Sequence, residues 1–184
     1  MVIGLVGISG VGKSYLRQKA ISEMDGLVYL FAATTRQKLV NETDGVDKYF
    51  LSDEEFLSRE LNNEMFLVQD IYGFKYGFMK SDLKPNTCYI TEMLHTDIIE
   101  MRRYSEVVSI YVFSNDAGRL YTNLKARYED WNILQRRIAK DIARKKELET
   151  QLKEGFFDFA FENRFDEESS ARFLELIKDI RGTK

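Results

Sequence analysis

Apolar runs and amphipathic stretches alternate along the chain. Residues Val2–Val6 form a short apolar run followed by a glycine, a pattern typical of a buried strand in a parallel sheet. Residues 13–24 follow with apolar side chains near one helical face, and Gly26 is expected to stop that helix. Residues 27–31 are predicted to form a second strand. Strand, helix and strand at this spacing predict a βαβ unit, which implies a parallel sheet.

The same alternation continues to the end of the chain. A capping box at residues 52–55 predicts the start of a helix that runs to about Leu61. Residues 34–50 are polar without clear periodicity, and residues 72–77 are expected to form a turn that carries aromatic side chains. Further strands are predicted at residues 65–71, 87–92, 107–113 and 157–161, and further helices at residues 96–104, 117–126, 133–153 and 166–182. This order predicts an α/β fold with a parallel-sheet core flanked by helices.

The segment between the first strand and the first helix carries candidate chemistry. Its sequence, Gly7-Ile8-Ser9-Gly10-Val11-Gly12-Lys13-Ser14, matches the phosphate-binding pattern G-x-x-x-x-G-K-[ST]. Glycines let backbone N–H groups turn toward one point, and the following helix adds its positive end. Lys13 would reach the β- and γ-phosphates, and Ser14 would coordinate Mg²⁺. The motif therefore predicts nucleoside triphosphate binding in a P-loop and leaves the reaction open.

Composition narrows the class of protein further. A length of 184 residues fits one domain, and a net charge of −3 argues against binding nucleic acid or a membrane through bulk charge. No apolar run approaches the ~20 residues that cross a bilayer. The lone Cys88 cannot form an internal disulfide, which fits a cytoplasmic location. We expect nucleotide substrates, no nucleic-acid or membrane partner, and a monomer or homodimer.

The charge is unevenly distributed along the chain. Residues 119–146 hold nine basic and three acidic side chains, whereas residues 40–70 hold nine acidic and two basic ones. The basic segment is suited to a triphosphate, because its cations can neutralise phosphate oxygens.

Several segments resemble the guanylate kinase family of P-loop nucleoside monophosphate kinases, from about Val2 to Ile177. The loop GISGVGKS is close to that family's GPSGVGKS. Residues 34–50 resemble its TTR…GExxGxDYxF segment, and residues 72–77 its HGNYYG turn. Residues 124–127 and 135–138 resemble the two arginine stretches of its lid, and residues 157–163 its penultimate strand.

This resemblance implies one domain with three parts. The core would comprise residues 1–31, 84–123 and 141–184, with a monophosphate-binding lobe at about residues 32–83 and a lid at about residues 124–140. It also implies transfer of the γ-phosphoryl group of ATP to a nucleoside monophosphate, with Mg²⁺ as cofactor and GMP or dGMP as the leading acceptor.

Residue roles follow from the motif and from the resemblance together. Phosphoryl transfer depends mostly on positioning and charge neutralisation, which arginines on a closing lid can supply. The catalytic candidates are Lys13, Arg127 and Arg137, with Arg136 as the alternate. The candidates for ATP binding are Gly7, Ser9, Gly10, Val11, Gly12, Lys13, Ser14 and Asn163. The candidates for acceptor binding are Thr35, Arg36, Lys48, Tyr76, Gly77 and Glu92.

The acceptor side departs from the family pattern at several positions. The family's second arginine, its phosphate-binding tyrosine and two of its serines correspond here to Leu39, Lys48, Ala32 and Phe78. A carboxylate that faces a guanine base would have to come from Glu92 or Asp70. Three functions therefore stay open: a kinase for GMP or dGMP, a kinase for another nucleotide or a phosphosugar, and a non-catalytic nucleotide-binding or interaction module.

Overall fold

Two β-sheets and six helices make up the structure, a computed structural model that describes residues 1–39, 42–71, 73–128 and 130–182. The strands are β1 (Val2–Val6), β2 (Leu27–Tyr29), β3 (Ala32–Thr34), β4 (Tyr49–Phe50), β5 (Met65–Ile71), β6 (Phe74–Met79), β7 (Cys88–Glu92), β8 (Val107–Phe113) and β9 (Phe159–Glu162). The helices are α1 (Lys13–Glu23), α2 (Asp53–Leu61), α3 (His95–Met101), α4 (Ala117–Lys125), α5 (Trp131–Lys153) and α6 (Glu167–Gly182).

The larger sheet confirms the predicted parallel core. Its strand order is β2-β7-β1-β8-β9, and every neighbouring pair is parallel. One face packs against α1 and α6 through residues such as Leu16 and Phe173, and the other packs against α3 and α5 through Ile98 and Leu148. The α/β class predicted from the alternation is therefore correct. All the strands end at one edge, which is where open α/β sheets bind ligands.

The smaller sheet lies in the predicted lobe, and the sequence predicted only part of it. Its order is β4-β3-β6-β5, with β3 antiparallel to β6 and β6 antiparallel to β5. The strand predicted at residues 27–31 ends at Tyr29, and a separate strand begins at Ala32. The turn predicted at residues 72–77 is wrong in part, because residues 74–77 belong to β6; Tyr72 lies outside the described residues.

Several helix boundaries have the physical causes that the sequence indicated. Gly26 adopts a left-handed conformation, with φ of +73°, just beyond α1. At α2 the capping box forms, since Ser52 accepts from the Glu55 amide and the Glu55 side chain accepts from the Ser52 amide. The side chain of Asp130 caps α5 by accepting from two backbone amides. Helix α5 then continues unbroken through residue 153, so it runs from the predicted lid segment into the predicted core.

Candidate active site

The P-loop has the backbone geometry that phosphate binding requires. Gly10 and Gly12 have φ values of +82° and +91°, which other residues rarely adopt. Gly7 must lack a side chain, because a Cβ atom there would overlap the carbonyl oxygen of Val112 on β8. The loop therefore passes between β1 and α1 with its backbone turned to the open edge of the sheet, where its N–H groups and the start of α1 can hold an anion.

The buried side chain of Asn163 holds the backbone of this loop through a hydrogen bond. Its side chain is 2% exposed, and its amide nitrogen donates to the carbonyl of Val11 at 2.8 Å. Its amide oxygen accepts from the backbone of Phe165 at 3.0 Å. Both ends of the Asn163 amide thus serve the protein itself, which places this predicted ATP-binding residue beneath the loop as a positioning group.

Lys13 sits at the start of α1 in a mostly buried environment. Its ammonium group donates to the carbonyls of Gly7 and Ile8 at 2.8 and 2.9 Å. Burial lowers the pKa of Lys13 to about 8, although the nearby carboxylates of Glu92 and Asp141 oppose that shift. A desolvated ammonium group interacts strongly with a phosphate oxygen, because water does not screen it.

Helix α5 delivers Arg137 to the P-loop. The Arg137 side chain donates from Nε to the hydroxyl of Ser9 at 3.0 Å. Asp141, one turn later and 3% exposed, lies 3.5 Å from Arg137 and accepts from Ser9 at 3.4 Å. A catalytic candidate from the lid and an ATP-binding candidate from the loop are therefore in direct contact.

Glu92 and Ser14 lie together near Lys13. Glu92 ends β7 and forms an ion pair with Arg17 of α1 at 3.4 Å. Burial would raise the pKa of Glu92, but the cations of Lys13, Lys48 and Arg17 and the Ser14 side chain outweigh it and lower that pKa. Glu92 therefore stays ionised beside the P-loop.

The lobe contributes a cation to a cleft that Ser14 of the P-loop also lines. Arg36, just after β3, forms a two-oxygen ion pair with Glu42 at 2.8 and 2.9 Å. It also donates from Nε to the hydroxyl of Tyr76 at 3.2 Å. Burial opposes the charge of Arg36, but its hydrogen bonds raise its pKa overall, so the guanidinium is held charged and oriented.

The remaining acceptor candidates divide into two groups. Lys48 and Tyr76 line the cleft, and Gly77 lines a cavity that adjoins it. Thr35 faces the backbone instead, because its hydroxyl accepts from the amide of Lys75 at 3.1 Å and helps to hold β3 against β6. The structure thus brings Lys48 and Tyr76 to the cleft, Gly77 to the adjoining second cavity, and Thr35 to the lobe framework.

One cleft of about 420 Å³ joins the P-loop, the lobe and the lid segment. Of the described residues, seven cationic side chains line it, against three acidic ones. The cations are Arg17, Arg36, Lys48, Arg127, Arg136, Arg137 and Lys140. A second cavity of about 210 Å³, here called the inner pocket, shares Lys48, Tyr76, Glu92, Arg127 and Arg137 with the cleft. The structure therefore brings both predicted lid arginines, and the alternate, to the same cleft.

Sequence reasoning missed three residues of this region and misjudged one. Asp70, considered as a partner for a base, is exposed and bonds the amide of Gly73 in the hairpin turn. Gln69 and Asp97 line the inner pocket, and Arg17 lines the cleft. Arg17 was foreseeable, since it follows Lys13 by one helical turn; Gln69 was not, because a backbone irregularity sets its direction.

A P-loop, a cationic helix against it and a cation-bearing lobe across the cleft define a P-loop phosphotransferase. Comparison with known proteins is more specific. The family model described as guanylate kinase matches residues 1–179. The chain therefore belongs to the guanylate kinase family.

Individual relatives agree with this assignment. The chain is 38% identical over 135 residues to a guanylate kinase of Carboxydothermus hydrogenoformans, covering 71% of this chain and 66% of that protein. It is 27% identical over 167 residues to a guanylate kinase of Thermotoga maritima, covering 88% of this chain and 74% of that protein. The crystal structure of guanylate kinase from Anaplasma phagocytophilum matches the fold with a TM-score of 0.66 at 23% identity, over 97% of this chain and 85% of that one.

Proposed function

We propose that this protein transfers the γ-phosphoryl group of ATP to GMP or dGMP. The observation that carries the proposal is a cleft lined by seven described cations, Arg36 among them, which shares lining residues with the inner pocket that Lys13 lines. Two phosphorylated substrates bring several negative charges together, and such a cleft offsets their repulsion. Membership of the guanylate kinase family supports GMP as the acceptor.

On the donor side, separate groups bind the ATP phosphates and neutralise the charge of the migrating phosphoryl group. Backbone amides of the P-loop, from Gly7 to Gly12, hold the ATP phosphates, and Lys13 neutralises the charge that develops on the migrating group. Arg137 is already placed against Ser9, and Arg127 lines both cavities. Fixed cations at this point lower the barrier because they need no reorganisation during the transfer.

On the acceptor side, Arg36, Tyr76 and Lys48 hold the phosphate of the monophosphate. Tyr76 orients the guanidinium of Arg36, and Lys48 supplies a second cation to the same cleft. This arrangement presents the acceptor oxygen to the γ-phosphorus, and positioning of this kind supplies much of the rate in phosphoryl transfer.

Ser14 and Glu92 fit a magnesium ion. Both offer oxygen ligands, and Glu92 is held ionised beside the P-loop. Among the described residues no group of three or more His, Cys, Asp or Glu side chains forms a metal site, so substrate phosphates would complete the coordination. When bound, the ion would neutralise charge on the phosphate oxygens.

We also propose the bounds of the moving parts and the setting of the protein. The lobe (residues 32–83) and the lid (residues 124–140) would close over a core of residues 1–31, 84–123 and 141–184. The lone Cys88, a free thiol, supports a reducing cytoplasm. No helix among the described residues is long and apolar enough to cross a membrane. Light scattering on purified protein would distinguish a monomer from a homodimer, the two states that we expect.

The test is acceptor-dependent ADP release with ATP, Mg²⁺ and a panel of nucleoside monophosphates and phosphosugars. We expect ADP and GDP in equal amounts with GMP, and dGDP with dGMP. Release with a different acceptor alone would replace GMP in the proposal. ATP binding without release for any acceptor would indicate a non-catalytic nucleotide-binding module and overturn the proposal.

A further inference from the structure

Helix α5 places a buried carboxylate next to the P-loop. Asp141 is buried, and its Oδ1 accepts a hydrogen bond from the hydroxyl of Ser9 at 3.4 Å. It is absent from the described residues that line the cleft and the inner pocket, whereas Arg137 lines both. A negative charge beside a triphosphate site repels the ligand, so a carboxylate at this position does not serve to bind ATP.

The hydrogen bonds around Ser9 have a fixed direction. Arg137 donates to the hydroxyl oxygen of Ser9 from both Nε, at 3.0 Å, and Nη2. A guanidinium group has no acceptor, so the single hydroxyl proton of Ser9 is left to donate to Asp141. Asp141 therefore polarises this hydroxyl and makes its oxygen a stronger acceptor for Arg137.

These contacts orient the guanidinium group of Arg137. Its Nε and Nη2 atoms form one edge of a planar group, and that edge is held against Ser9. Because the group is rigid, holding one edge also fixes the direction of its third nitrogen. A long arginine side chain is otherwise flexible, so this restraint keeps the cation at the P-loop.

Charge also couples Asp141 to Arg137 directly. Asp141 Oδ2 lies 3.5 Å from Arg137 Nε, and it has no hydrogen-bond partner among the described residues. A buried charge is costly unless an opposite charge lies near it. The charge of Asp141 also acts on Lys13, where it opposes the lowering of the pKa by burial. One buried carboxylate therefore acts on two of the catalytic candidates.

We propose that Asp141 is a positioning residue that holds Arg137 against the P-loop before ATP binds, through the hydroxyl of Ser9 and through its own charge. The arginine is then in place when negative charge develops on the migrating group, and it needs no reorganisation during the transfer. Asp141 itself does not contact the substrates. This inference rests on the proposed kinase function and adds a residue that raises the rate of transfer at some cost in ATP affinity.

The first test separates rate from binding in the full-length protein. Asp141→Asn keeps the shape of the side chain but removes its charge. It should lower kcat with ATP and GMP about ten- to a hundredfold, because a misplaced catalytic group costs rate on this scale. The dissociation constant of a non-hydrolysable ATP analogue, measured by calorimetry, should stay equal or fall, because one repulsive charge is gone. Damage to the fold would instead raise that constant and lower the thermal unfolding midpoint.

A double-mutant cycle with Arg137→Met tests whether Asp141 acts through this arginine. If it does, Asp141→Asn should change kcat less than threefold once Arg137 is replaced. Ser9→Ala breaks the hydrogen-bonded chain without removing a charge. It should also lower kcat, and the same cycle with Ser9→Ala decides the matter if Asp141→Asn does not fold.

Glu149→Gln is the matched control for Asp141→Asn. Glu149 pairs with Lys145 at 3.7 Å on the same helix, with the same spacing between cation and carboxylate. Both residues of this pair are absent from the described lining of the cleft and of the inner pocket. The control should therefore leave kcat and binding of the analogue unchanged.

Each outcome has a distinct meaning. If the unsubstituted protein releases no ADP with any acceptor, the proposed function fails and this role fails with it. If it is active and Asp141→Asn keeps kcat within threefold, the function stands and the positioning role is refuted. An equal loss of kcat with and without Arg137 would also overturn the role, since Asp141 would then not act through that arginine. A tenfold or larger rise in the dissociation constant of the analogue would overturn it too, because Asp141 would then support ATP binding.

Discussion

At the scale of single residues, Lys13 is the side chain on which the proposed chemistry depends most. Its ammonium group contacts two carbonyls of the P-loop, and burial lowers its pKa. Replacing it removes charge stabilisation that is needed mainly in the transition state. We expect Lys13→Met to reduce kcat about a hundred- to a thousandfold, as loss of one preorganised donor does elsewhere.

Lys19 provides the matched control for this change. It lies on the same helix, α1, and pairs with Glu23 at 3.2 Å away from the cleft. Steady-state rates of ADP release should be unchanged in Lys19→Met. Activity of Lys13→Met within tenfold of the unsubstituted protein would remove Lys13 from the catalytic role.

The ion pair between Glu42 and Arg36 should make the stability of the folded state depend on pH. Burial would raise the pKa of this carboxyl, but hydrogen bonds from Arg36 and from the backbone of Leu39 lower it overall. A lowered pKa in the folded state means that the unfolded chain takes up the proton first as pH falls. The contribution of Glu42 to stability is therefore present above its unfolded pKa and lost as pH falls through its folded pKa.

Urea unfolding at pH 7 and at pH 3.5 would measure this effect. Glu42→Gln should lower the free energy of unfolding at pH 7 by about 1.5–3 kcal/mol, the usual range for a charged hydrogen bond, with a smaller difference at pH 3.5. Glu175→Gln, an exposed carboxylate on α6, serves as the control. A pH-independent difference for Glu42→Gln would show that the ion pair is not its cause.

At the scale of elements, the sequence predicted those whose causes are local. The apolar run of β8, the capping box of α2 and the glycine after α1 each act within a few residues, and each prediction was confirmed. The short strands β3 and β4 were missed, because two or three residues carry no periodicity and depend on partners elsewhere in the chain.

The candidate site shows the same division between local and distant causes. The P-loop was predictable, since its whole mechanism lies in eight consecutive residues between a strand and a helix. The direction of Gln69 was not, because it depends on the shifted pairing of β5 with β6. Asp97 and Gln69 are separated by 28 residues, so only the fold shows that they meet.

Helix α5 connects the lid segment to the P-loop, and its first turn depends on Asp130. The Asp130 side chain accepts from the amides of Asn132 and Ile133 at 2.8 and 3.0 Å. Asp130→Ala should destabilise this turn by about 1 kcal/mol, the usual effect of removing an N-cap. Amide exchange at Leu134, whose N–H bonds the Asp130 carbonyl, should then be about fivefold faster.

Asp130→Asn keeps an oxygen acceptor at the same position and should retain the protection. Exchange near Leu148, in the core half of α5, should be the same in both variants. Equal protection of Leu134 in Asp130→Ala and in the unsubstituted protein would mean that tertiary packing, not the cap, holds the lid end of the helix.

At the scale of the whole molecule, charge is concentrated where the substrates are proposed to bind. The chain carries a net charge of −3, yet seven cations line one cleft. Their mutual repulsion is relieved when phosphates bind, so ligand should stabilise the folded state strongly. At a hundred times its dissociation constant, a non-hydrolysable ATP analogue with Mg²⁺ should add about 2.7 kcal/mol and raise Tm by about 5–10 °C.

The dependence on salt concentration tests whether stabilisation by the bound analogue is electrostatic or comes from burial of the nucleoside. The Debye length falls from roughly 10 Å at 0.1 M to about 3 Å at 1 M ionic strength, which screens the partly exposed arginines of the lid. At a fixed analogue concentration, the Tm shift should therefore shrink as sodium chloride rises from 0.1 to 1 M. The shift for Lys13→Met should be smaller at every salt concentration. A shift that salt leaves unchanged would mean that contacts to the nucleoside, rather than the cationic cleft, provide most of the affinity for ATP.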